Sequence, residues 1–188
     1  SCKNDPHIQI VSRFLLLYSR GYARRARVLW DGMKKEEQPT WKVYLVDDHP
    51  IVRMGIEQIV NAEADMEVCG ASGNAEDARR DVSRLSPHLV IADISLSGTS
   101  GIELVRALKT RFPEVKAIIL TMHDEAIYAE RAIRAGARGY IMKREASDKV
   151  LEGIRAILAG RVFVSDRIAA GILDKVSGHS PSRPRSPM

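Results

Sequence analysis

Only two cysteines, Cys2 and Cys69, occur in the 188 residues of this chain. One lies in the leading segment and one in an apolar run, which gives neither a disulfide framework nor the spacing of a zinc site. Such usage suits a reducing compartment, and the cytoplasm is the expected location. Also missing is any run of the ~18–20 apolar residues that a membrane-spanning helix needs. Aromatic residues are few, at 5%, within an otherwise ordinary globular composition of 45% hydrophobic and 28% charged residues.

A domain-wide excess of positive charge is absent as well. The net charge of +5 sits at the ends: residues 1–40 carry eight Lys/Arg against four Asp/Glu, and residues 177–188 carry Arg183 and Arg185 with no acid. Residues 41–176 hold 19 basic and 20 acidic side chains. The central region is therefore not itself an evident binder of nucleic acid.

The two ends read apart from the middle. In residues 1–40 the apolar cluster Phe14-Leu15-Leu16-Leu17-Tyr18 stands between Arg13 and Arg20, with Arg24, Arg25 and Arg27 after it. A basic amphipathic segment suits a membrane surface or a partner, and an Arg-rich, acid-poor start also suits a targeting peptide. The plainer expectation is an N-terminal extension, leader or cloning-derived, because Met33 opens the more typical polar run Lys34-Lys35-Glu36-Glu37. At the other end, residues 161–188 read as one helix over 165–176, with Ile168, Ile172 and Val176 in line, then a Pro/Ser-rich tail. That tail has linker composition, so an effector domain missing from this chain is expected beyond it.

From Trp41 to about Gly160 apolar runs alternate with helical patterns. Val43-Tyr44-Leu45-Val46, Met66 to Ala71, Leu89-Val90-Ile91-Ala92, Ala117-Ile118-Ile119-Leu120 and Gly139-Tyr140-Ile141-Met142 read as five buried strands. Between them Val52, Ile56, Ile59 and Val60 fall on one helical stripe, and Asn74 is placed to cap a second helix. Further helices are expected over 101–111 and 125–135 and along Val150, Ile154, Ile157 and Leu158, with Pro50 in a first turn and Gly136 as a C-cap. Five strand–helix repeats imply right-handed crossovers, hence a doubly wound parallel α/β sheet with helices on both faces.

The strand ends carry the chemistry. The first ends at Asp47 and Asp48, the third at Asp93, the fourth at Thr121 and the fifth at Lys143. In a flavodoxin-like sheet ordered 2-1-3-4-5, strands one and three adjoin at the topological switch point, so the three carboxylates share a pocket. Crowded carboxylates demand a cation, and hard oxygen donors in a hydrated cleft suit Mg²⁺. With an ammonium and a hydroxyl on the rim, this makes a phosphoryl site in which Asp93 is the nucleophile. Each signal alone has a plain structural explanation, such as a helix cap for Asp47 or Asp48; their joint occurrence at four of five strand ends does not.

The residues Asp47-Asp48, Asp93, Thr121 and Tyr140-Ile141-Met142-Lys143 resemble the receiver domain of bacterial two-component response regulators. The stretches Val46-Asp47-Asp48-His49-Pro50-Ile51-Val52-Arg53 and Ala135-Gly136-Ala137-Arg138-Gly139-Tyr140 resemble the NarL/FixJ (LuxR-type) subfamily in particular. The resemblance implies a receiver over 41–160 that takes a phosphoryl group on Asp93 from a sensor histidine kinase. It implies Mg²⁺ held by Asp48, Asp93 and the backbone carbonyl of Ser95, with Asp47 acting through water. Thr121 and Tyr140 would be the switch pair, and Ser95 and His123 stand where the family adjusts acyl-phosphate lifetime. Ser97 departs from a proline common in receivers. His49 and His123 lack the spacing of a transition-metal site.

Three functions compete. In the first, phosphorylation switches a transcriptional output domain absent from this chain, permits homodimerisation, and reaches DNA only through a C-terminal helix-turn-helix domain. In the second, the chain is a stand-alone receiver, a protein-interaction switch or phosphorelay carrier without DNA binding. Either way it is not an enzyme beyond its own phosphoryl transfer and autodephosphorylation. The third, an aspartyl-phosphate hydrolase like the haloacid dehalogenase-like phosphatases, places its nucleophile in Asp-x-Asp on the first strand, whereas here that strand ends in adjacent acids.

Overall fold

A computed structural model describes residues 40–170. The expectations for residues 1–39, for Ile172 and Val176 and for the Pro/Ser-rich tail lie outside the described residues.

Five parallel strands, β1 (Trp41–Val46), β2 (Met66–Ser72), β3 (Leu89–Ala92), β4 (Lys116–Thr121) and β5 (Gly139–Met142), pair in the order β2-β1-β3-β4-β5. The helices between and after them are α1 (Pro50–Asn61), α2 (Ala75–Leu85), α3 (Gly101–Arg111), α4 (Glu125–Ala135) and α5 (Ala146–Leu158). This is the doubly wound sheet expected from the strand–helix repeat. Among the described residues no helix is long and apolar enough to cross a membrane.

Side chains alternate along each strand, and β1, β3, β4 and β5 are buried on both faces, which is why they read as unbroken apolar runs; β2, at one edge, is only partly buried. Val43, Leu45, Leu89, Ile91, Ile118, Leu120 and Ile141 share one core with Ile56 and Val60 of α1 and Val150, Ile154 and Ile157 of α5. Tyr44, Val46, Val90, Ala92, Ile119, Tyr140 and Met142 share the other with Val82 of α2, Leu104, Val105 and Leu108 of α3, and Ala129 and Ala132 of α4. Burying one such Leu, Ile or Val side chain is worth roughly 1.5–3 kcal/mol. The switch point between β1 and β3 is thus fixed from both sides.

Caps place the helices at the functional edge. Pro50 opens α1, where a missing N–H costs nothing. The Asn74 side chain accepts from Asp77 N at 2.9 Å, and Ser100 Oγ accepts from Ile102 N at 3.2 Å. After α4, Gly136 adopts φ +115°, a conformation that strains any side chain. Gly136 N donates to Ile133 O and Ala137 N to Ala132 O, both at 3.0 Å, closing the helix with paired C-terminal bonds.

Boundaries differ from the sequence reading in a few places. β1 begins at Trp41, β2 runs to Ser72, and their register shifts between Val43 and Tyr44. Lys143 begins a short 3₁₀ turn, Lys143–Glu145. Helix begins at 166 rather than 165, because Ser165 caps it: its Oγ accepts from Ile168 N at 3.4 Å. Residues ahead of it are extended, and Phe163 bridges to Gly139 beside β5.

Candidate functional site

The ends of β1, β3, β4 and β5 lie along one edge of the sheet and converge on Asp93. Its carboxylate is 3% exposed, and its backbone N–H donates to Val46 O at 2.8 Å, locking the end of β3 to β1. Asp47 and Thr121 are buried too, whereas Asp48 is half-exposed at the mouth.

Lys143 crosses the pocket. Its Nζ lies 2.7 Å from Asp93 Oδ2 and 2.7 Å from Asp47 Oδ2. Burial alone lowers the pKa of this ammonium, but its hydrogen bonds to Asp47 and Asp93 outweigh that and hold it above the usual lysine range. Lys143 is therefore a fixed positive charge against Asp93.

One ammonium does not balance three carboxylates. Asp93 Oδ1 is buried and has no hydrogen-bond partner among the described residues. Carboxylate oxygens of Asp47, Asp48 and Asp93, with a ring nitrogen of His49, lie within 4.8 Å of one another. A buried unpaired carboxylate oxygen is costly. Beside two further acids it forms a donor set that fits a hard divalent cation such as Mg²⁺.

Sequence reasoning passed over several parts of the site. His49 N donates to Asp47 Oδ1 at 2.9 Å, and His49 Nδ1 lies 2.7 Å from Asp48 Oδ1. Arg53, one turn into α1, donates to the Asp47 carbonyl. Both follow from Pro50, which starts α1 just after the acids and turns its first residues back onto them. Gly101 matters most: a Cβ there would stand 1.8 Å from Asp93 O. The β3–α3 loop closes onto Asp93 because that Cβ is absent, with Gly101 N donating to Ile94 O at 2.9 Å.

On the opposite rim, Thr121 Oγ1 accepts from His123 N at 3.3 Å, and the His123 carbonyl accepts from the Tyr140 hydroxyl at 2.9 Å. The Tyr140 ring is turned inward and only 4% exposed. Burial first, then the charge of Glu125, pushes its hydroxyl well above the usual tyrosine range, so it remains a hydrogen-bond donor. Ser95 Oγ lies 2.6 Å from His123 Nε2, joining the β3–α3 loop to the β4–α4 loop across the pocket. Ser97 is exposed, just before Gly98 at φ +87°.

The arrangement brings together a buried carboxylate with one oxygen unpartnered among the described residues, a fixed ammonium, a hydroxyl and an acid set that fits a cation. Such a set can hold a tetrahedral anion against a carboxylate.

Known proteins share this plan. The model of the response regulator receiver domain matches residues 43–155, more than half of the chain. The oxygen regulatory protein NreC of Staphylococcus haemolyticus is 32% identical over 142 residues, covering 75% of this chain and 65% of that protein. The DNA-binding transcriptional activator DevR/DosR of Mycobacterium tuberculosis is 35% identical over 139 residues, covering 73% and 63%. The chain thus spans less than two thirds of these curated relatives. A two-component response regulator of the LuxR family from an Aurantimonas species superposes with a TM-score of 0.67 at 34% identity, over 73% of this chain and 99% of that one. RcsB of Salmonella typhimurium gives a TM-score of 0.66 at 25% identity, over 78% and 72%. The chain belongs to the response regulator receiver family of two-component systems, in its LuxR-type (NarL/FixJ) branch.

Proposed function

We propose that this chain is a phosphorylation-controlled receiver in which Asp93 accepts a phosphoryl group from a sensor histidine kinase. The observation that carries the reading is the asymmetry of one carboxylate: Oδ2 is neutralised by Lys143 at 2.7 Å, while Oδ1 is buried without a hydrogen bond among the described residues. Oδ1 is the nucleophile. Its electron pair forms the P–O bond as the P–N bond to the donor imidazole breaks, and that bonding pair returns to the ring nitrogen. Lys143 offsets charge on the phosphoryl oxygens, and the Thr121 hydroxyl donates to one of them.

Asp48, Asp93 and the Ser95 carbonyl would hold Mg²⁺, with Asp47 acting through water. When bound, the ion supplies Lewis-acid neutralisation of the phosphoryl oxygens. No other catalysis is assigned: the chain phosphorylates itself and reverses that by hydrolysis. The acyl phosphate adds roughly −1.5 to −2 charge beside the Thr121–Tyr140 pair and biases the inward ring.

A C-terminal helix-turn-helix domain would carry DNA binding, released or dimerised by phosphorylation in the cytoplasm; the printed description of DevR/DosR as a DNA-binding transcriptional activator supports this reading. Incubation with acetyl phosphate and Mg²⁺, followed by intact mass, tests the first step. Wild type should gain one phosphoryl group and Asp93→Asn none. Labelling that persists in Asp93→Asn refutes it.

A further inference from the structure

We infer that residues 161–170 form a strap whose seat depends on the inward Tyr140 ring, so that phosphorylation fixes the direction in which the chain leaves the domain. This rests on the roles proposed above for Asp93 and Tyr140. The strap turns at Gly160, φ +85°, and returns to the open edge of β5. There Phe163 N donates to Arg138 O at 2.8 Å, and Tyr140 N donates to Phe163 O at 3.0 Å. The switch residue thus shares its own backbone hydrogen bond with the strap.

Two glycines shape the seat. A Cβ on Gly153 of α5 would come within 3.1 Å of Phe163 Cδ1, and one on Gly139 within 3.3 Å of Phe163 O. Beyond Phe163, the Ser165 hydroxyl donates to Glu125 in the first turn of α4. Ile168 is 8% exposed and belongs to the same core cluster as Tyr140, Ala129 and Ala132.

The first turn of α4 is therefore held from two sides. Tyr140 holds it through the His123 carbonyl, two residues before Glu125, and Ser165 holds it through Glu125 itself. An outward ring gives up the His123 bond and leaves a hole in the cluster that contains Ile168. The strap is held by three backbone bonds (Arg161 N donates to Ala156 O at 3.0 Å besides the two above), one hydroxyl contact, buried Ile168 and partly buried Phe163 and Val164, few enough ties to place it among the weaker cooperative units of a domain. Loss of the ring unseats it; a phosphoryl group that favours the inward ring seats it more firmly.

Hydrogen exchange of the full chain tests the strap at the amides of Phe163 and Ala169, with the Asp93 amide as a core reference. In the unphosphorylated chain, Tyr140→Ala should speed exchange at both strap amides about tenfold while Asp93 holds. If Asp93 also speeds, Ser165→Ala takes its place and should speed the Tyr128 amide, in the first turn of α4. In wild type carrying one phosphoryl group by mass, the strap amides should exchange about tenfold more slowly. Unchanged exchange in these variants, or unchanged or faster exchange in the phosphorylated wild type, overturns the strap. A wild type that takes up no phosphoryl group refutes the function above instead, and the unphosphorylated variants then decide the strap.

Discussion

Lys143 and Asp93, fifty residues apart in sequence, meet at 2.7 Å between Nζ and Oδ2 in a pocket where both side chains are nearly inaccessible. The same ammonium meets Asp47 at 2.7 Å, so one cation serves two buried carboxylates. Removing it leaves both uncompensated. Lys143→Met should cost about 3 kcal/mol of stability, at the lower end for breaking a buried ion pair. Urea unfolding without Mg²⁺ measures this; a loss below about 1 kcal/mol would show the pair to be solvent-screened.

The acid cluster makes a second prediction about the metal. A ligand that binds only the folded state at a hundredfold excess over its Kd adds about 2.7 kcal/mol. Mg²⁺ should therefore raise the thermal midpoint of wild type, and Asp48→Asn should lose most of that rise. An equal rise in both proteins would place the ion elsewhere.

Alkaline pH should destabilise the fold through Tyr44. This ring is fully buried, and its hydroxyl donates to Asp81 Oδ2 at 2.8 Å. Burial, opposed in part by a hydrogen bond with Ser72 and aided by the Asp81 carboxylate, pushes its pKa up to about 12. The unfolded chain releases this proton near pH 10 while the folded chain keeps it, so the folded state binds more protons in that window. The contribution is full below about pH 10 and is lost as pH rises toward 12. Tyr44→Phe should remove its share of this fall, leaving the slopes due to Tyr140 and Lys143, whose pKa values are also raised.

Gly101→Ala should be more damaging than its size suggests. Its Cβ would collide with the Asp93 carbonyl at 1.8 Å, and backbone cannot step aside as a flexible side chain can. A loss of about 3 kcal/mol is expected, with weakened phosphoryl uptake because the β3–α3 loop carries Ser95. Gly55→Ala is the control, since no atom lies within 4 Å of a Cβ there.

The parts of this molecule that could be read in advance share a cause. Leu89-Val90-Ile91-Ala92 announces a strand buried on both faces, and the acid that ends it must lie at the carboxyl edge of a parallel sheet. Asp47, Asp48, Thr121 and Lys143 become legible by the same rule. The missed features depend on where separate loops meet. Gly101 reads as an ordinary helix start until the Asp93 carbonyl is found behind it. The Ser95–His123 contact spans 28 residues and two loops. Arg161-Val162-Phe163-Val164 is apolar, but it is too short to say that Phe163 bridges to Gly139; the gap left by Gly139 and Gly153 is a tertiary fact. His49, set aside for want of metal spacing, is drawn to the acids by the first turn of α1.

The chemical identity of the phosphorylated residue is the central claim. Borohydride reduction of the acetyl phosphate-treated chain converts an aspartyl phosphate to homoserine, which peptide mass mapping locates to one position. The account predicts homoserine at position 93 alone, and none in Asp93→Asn. Homoserine at 47 or 48, or a phosphoryl group retained on His49 or His123, would contradict it.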